Sequence, residues 1–61
     1  MFDGLDVDTL WQMKNQPNGA EYRVIMHSFG LLEGPTVTFD FKNEMKTYSV
    51  DWIRENMQPV I

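Results

Sequence analysis

Residues 36–42 read TVTFDFK, a strict alternation of small or polar with apolar side chains. Only an extended strand puts every second residue on one face, so Val37, Phe39 and Phe41 are expected to point inward and Thr36, Thr38, Asp40 and Lys42 outward. A strand with three large inward residues commits the chain to a sheet, and the sheet must cover that face from limited material. In 61 residues there is no cysteine, so no disulfide and no cysteine-based zinc site can hold the fold. A domain this small buries only about 60% of the surface its unfolded chain exposes. Apolar packing must carry the stability, and Phe2, Trp11, Tyr22, Phe29, Phe39, Phe41, Tyr48 and Trp52 supply the bulk for it.

The remaining elements follow from turn chemistry. Residues 1–5 read as a loose leader to a single domain spanning 1–61. Residues 9–14 suit a strand with Val7, Thr9, Trp11 and Met13 on one side, although Asp6 or Asp8 could equally cap a helix of barely two turns over 6–14. Pro17-Asn18-Gly19 predicts a turn. Glu21 to Phe29 predicts the next strand, with Tyr22, Val24 and Met26 on one side and Arg23, Ile25, His27 and Phe29 on the other. The glycines and proline of GLLEGP break it before residues 36–42, and a polar turn at Asn43-Glu44 leads into MKTYSV, with Tyr48 and Val50 inward.

The last thirteen residues, SVDWIRENMQPVI, condense three signals. Ser49 or Asp51 caps a helical turn, Trp52, Ile53 and Met57 gather on one side of it, and Pro59 stops it. Val60-Ile61 then predicts a short fifth strand, with Trp52 plugging one end of the fold and Met57 and Val60 sealing the seam. The expected class is mostly all-β: four strands, one helical turn and a closing strand.

Trp11, the Tyr22–Val24 segment YRV and the Asp51–Val60 segment DWIRENMQPV are similar to the pattern of short SH3-like barrel domains of unknown function found in phage and bacterial genomes. The resemblance covers residues 9–61 and implies a five-stranded SH3-like barrel with a single helical turn before the last strand. It implies no activity. The acidic-aromatic first loop and the tryptophan opening the third strand, which give peptide-binding SH3 domains their proline-rich groove, have no counterpart here.

Nine acids against five bases give a formal charge of −4, which weakens the case for nucleic acid, because backbone affinity comes from lysine and arginine displacing counterions. No run approaches a membrane span of about 20 apolar residues, and the first residues lack a signal peptide's basic and apolar regions, so a cytoplasmic protein is expected. His27, the single histidine, lacks the partners of a triad or a zinc site, and Asp6-Val7-Asp8 lacks the further oxygen ligands of a calcium loop. No enzymatic activity, metal or cofactor is expected.

What remains is a protein partner. Phe29, Leu31, Leu32 and Glu33 lie in a stretch marked as loop by its glycines and proline, where large apolar residues either tuck under the fold or form a contact patch. Asp40 and Glu44 belong to an acidic surface that could face a basic partner, even as a mimic of nucleic acid. The competing expectations are a nucleic-acid module using Arg23, Lys42, Lys46 and Arg54, and a homo-oligomer joined through open sheet edges or the apolar loop.

Overall fold

In the computed structural model, residues 1–16 and 19–60 are described. The expected turn at Pro17-Asn18 and the strand contribution of Ile61 fall outside them. The elements run β1 (Leu10–Met13), β2 (Tyr22–Gly30), β3 (Gly34–Phe41), β4 (Glu44–Ser49), α1 (Val50–Asn56) and β5 (Met57–Pro59). All strands belong to one antiparallel sheet in the order β4-β3-β2-β1-β5. Residues 10–13 are therefore strand and not helix. Among the described residues β4 and β5 do not pair, so the sheet is open where a closed barrel was expected.

The β2–β3 hairpin dominates. A nine-residue strand spans about 30 Å, which accounts for the longest molecular dimension of 33 Å. Its register shifts between Val24 and Met26, because Val24 pairs with Phe39 while Met26 pairs with Thr38. Ile25 is the extra residue of a β-bulge, and one extra residue reverses the in–out phase beyond it. Tyr22 and Val24 face the core as expected, but past the bulge His27 and Phe29 take that face, opposite Val37 and Pro35. Met26, expected beside Val24, instead stands half exposed on the outer face.

Strand β3 keeps the alternation read from its sequence. Val37 and Phe39 are fully buried, and Phe41 packs against the core. Thr36 and Thr38, expected to be solvated, are buried too. β3 lies between two neighbours, so its outer-face threonines are flanked by Ser28, Met26, Thr47 and Ser49, and the Thr38 and Thr47 hydroxyls share a hydrogen bond of 2.8 Å. The β3–β4 turn is Lys42-Asn43, one residue earlier than expected, with φ of 50° and 66°. Two consecutive positive φ values in a two-residue loop define a type I′ turn, whose twist matches that of the flanking strands.

Ser49 caps α1: its Oγ accepts from the Trp52 N–H at 3.2 Å. Starting the helix at Val50 aligns Val50 and Ile53 on the buried stripe at i, i+3, and Trp52 falls outside it. The plug is therefore Ile53, fully buried, and not Trp52, which is 37% exposed and stacks on Tyr48 with ring centroids 4.4 Å apart. Met57 is already extended, so β5 begins before Pro59. It pairs with β1 through Met13↔Met57, Gln12↔Gln58 and Trp11↔Pro59, and the Val60 N–H donates to the Leu10 carbonyl at 2.9 Å.

The leader is not loose. Leu5 is fully buried in the cluster of Trp11, Tyr22, Val24, Val37, Phe39, Val50, Ile53 and Met57. Phe2 stacks on the His27 ring at 4.2 Å and meets Phe29 edge-on at 5.7 Å, while the His27 Nε2–H donates to the Leu5 carbonyl. A three-residue connection at 6–8 then returns the chain to the sheet, where the Asp8 N–H donates to the Val24 carbonyl and the Val24 N–H to the Thr9 carbonyl.

Candidate functional site: an apolar hairpin tip

The residues singled out from sequence divide into two places. Phe29, Leu31, Leu32 and Glu33 meet at the β2–β3 tip, where Gly30 pairs with Gly34 across the connection Leu31–Glu33. Asp40 and Glu44 sit at the other end of β3. Six extended residues from Gly34 to Asp40 amount to about 20 Å, so the two groups stand at opposite ends of the strand.

Tip geometry follows from its glycines. Gly34 closes the connection at φ 73°, a left-handed conformation that glycine adopts without steric cost. Gly30 faces it, and the Glu33 side chain folds back over Gly30 into the space that any β-carbon there would occupy. Leu31 and Leu32 project beyond this, at 105% and 96% exposure, and Phe29 is 65% exposed even with Phe2 against its edge. Of the two alternatives for this loop, a tucked lid and a contact patch, the structure has the outward arrangement.

The acidic end is partly neutralised. Asp40 lies directly across from Arg23 on the outer face and takes a 3.2 Å contact from its guanidinium. Glu44 and Lys46 share the opposite face of β4, 3.9 Å apart. The four basic residues also diverge: Arg23 is on the outer face, Lys46 on the inner face opposite Phe39, and Lys42 sits in the turn with its ammonium 5.4 Å from the Phe41 ring centre. Arg54 is on α1, whose carbonyl at that position accepts from the Lys14 ammonium at 3.0 Å. His27 is engaged with Phe2 and Leu5, and among the described residues no group of three His, Cys, Asp or Glu side chains is arranged to hold a metal. No helix among the described residues is long and apolar enough to cross a membrane.

An aromatic row lies on the inner face away from the tip. Phe41 stacks on Tyr22 at 4.1 Å, Tyr22 meets Tyr48 at 6.5 Å, and Tyr48 stacks on Trp52. Burial raises the Tyr22 phenol above its ordinary value of 10.0, and the neighbouring Tyr48 hydroxyl adds to the rise. Beside this row, a groove of about 530 Å³ opens between the end of β1 and α1. It was not singled out from sequence, because Met13, Tyr22 and Trp52 are brought together from three separate elements. No known family, curated protein or solved structure matches the chain.

Proposed function

We propose that the chain is a non-enzymatic protein-binding module that inserts the Leu31-Leu32 tip of its β2–β3 hairpin into an apolar pocket on a partner protein. The observation that carries this reading is the full exposure of two adjacent leucines at the end of a two-stranded arm. Leucines that contribute nothing to the fold gain burial only from a partner, and burial of apolar surface is the main favourable term in association. Pairing of Gly30 with Gly34 keeps the connection to three residues, so little backbone has to be ordered in that contact. Glu33 at its base and the chain's charge of −4 favour a pocket with a basic rim.

The strand order β4-β3-β2-β1-β5 supports reading the fold as an open member of the SH3-like architectures. A cytoplasmic setting belongs to the same reading.

The test is a comparative capture. The parent chain and the Leu31→Ala/Leu32→Ala variant are cross-linked in lysate, and captured proteins are compared with those of Asp40→Asn/Glu44→Gln. The reading predicts that the leucine variant loses a partner that the acidic variant keeps. Loss with the acidic variant alone would favour charge-based mimicry of nucleic acid instead, and retention by both would remove the tip from consideration.

A further inference from the structure

We infer that the groove between β1 and α1 is a second, independent binding site, and that it takes the cationic side chain, guanidinium or ammonium, of a basic segment of a partner protein. Met13, Tyr22 and Trp52 supply apolar and aromatic surface along which the methylene stem of a long basic side chain can lie. Tyr48 covers one face of the Trp52 ring, stacked at 14°, and Trp52 remains exposed where it lines the groove. An exposed indole attracts a cation through its ring quadrupole.

One turn along α1 from that indole the lining offers two acceptors. Glu55 lies on the same side of α1 at i+3 from Trp52 and is exposed. The Asn56 amide nitrogen donates to the Trp52 carbonyl at 2.9 Å, which leaves its oxygen as the acceptor for a ligand. Lys14 is the cation among the lining residues, and one N–H of its exposed ammonium donates to the Arg54 carbonyl at 3.0 Å. Lys14 offsets the Glu55 charge over the groove as a whole, but beside the indole a cation meets a ring, a carboxylate and an amide oxygen. The overall charge of −4 draws basic segments toward the surface in the same sense.

The probes are two tripeptides, acetyl-Gly-Arg-Gly-amide and acetyl-Gly-Gln-Gly-amide, titrated into the full chain while amide and indole N–H resonances are followed by NMR. Trp11 and Trp52 give separate indole signals, and Trp11 is buried away from solvent, so it serves as an internal control. The arginine peptide is expected to shift Trp52, Glu55 and Asn56 and to leave Trp11 in place, and the glutamine peptide is expected to shift none of them. Glu55→Gln should weaken the arginine peptide about two- to fivefold, in line with one exposed charge pair. Equal responses to the two peptides, shifts confined to other residues, no response at about 50 mM peptide, or an unchanged affinity in Glu55→Gln would each overturn the assignment. The Leu31→Ala/Leu32→Ala variant should titrate like the parent, so failure at the tip and failure at the groove are read separately.

Discussion

Ile53 and Trp52 are neighbours in sequence with opposite roles, and the difference comes from one capping residue. With Ser49 as N-cap the helix starts at Val50, and its buried stripe passes through Ile53. Ile53→Ala removes a fully buried side chain and should cost about 2–5 kcal/mol. Trp52→Ala removes a partly exposed ring and its stack on Tyr48 and should cost less, about 1–3 kcal/mol. Urea denaturation of both variants checks the order, and a larger loss in Trp52→Ala would restore it as the plug. Sequence reading reached the Ser49 cap but left Asp51 open beside it, and that ambiguity was enough to choose the wrong large residue. Tyr22 provides a second prediction at this scale. The folded state holds its phenolic proton to higher pH than the unfolded chain does, so its contribution is fully present below the ordinary value of 10.0 and is lost as pH rises through the folded value. The melting temperature of the parent should thus fall more steeply above about pH 10 than that of Tyr22→Phe. Parallel pH profiles would contradict it.

Among the elements, those governed by strict alternation were the legible ones. Three inward residues of β3 stand where period two puts them, and Lys42-Asn43 lies one residue from the expected turn. What period two cannot report is a bulge. Ile25 adds one residue to β2 against β3, and from that point His27 and Phe29 exchange faces with Met26. No local feature of EYRVIMHSF marks the position, since Ile25, Met26, His27 and Phe29 suit either face. The type I′ turn offers a test of the register beyond it. Asn-Gly is the favoured pair for two positive φ values, so Asn43→Gly should leave the structure unchanged and raise the melting temperature, whereas Asn43→Val places a β-branched residue at φ 66° and should lower it. If both variants melt with the parent, the turn is not where the register places it.

The whole molecule joins a small core to a hairpin whose leucine tip projects beyond it. The leader is part of that core: Leu5 fills its centre and Phe2 braces His27 and Phe29, an arrangement hidden from sequence because two apolar residues among five give no periodicity. Deleting residues 1–5 should therefore destabilise by at least the about 2–5 kcal/mol of one buried leucine, and a deletion variant melting with the parent would contradict the packing. The candidate tip was visible as three large apolar residues in a glycine-bounded loop. Its outward orientation was not, because tucked and projecting loops carry the same composition. Asp40 and Glu44 lie at the far end of β3 from it, a separation set by the length of that strand. The central claim is that Leu31 and Leu32 serve a contact and not the fold. The most direct measurement is the thermal unfolding of Leu31→Ala/Leu32→Ala beside Leu5→Ala. The tip variant should melt with the parent while Leu5→Ala loses much of its stability; a tip variant that unfolds as readily as Leu5→Ala would show that the leucines are buried in solution and would contradict the account.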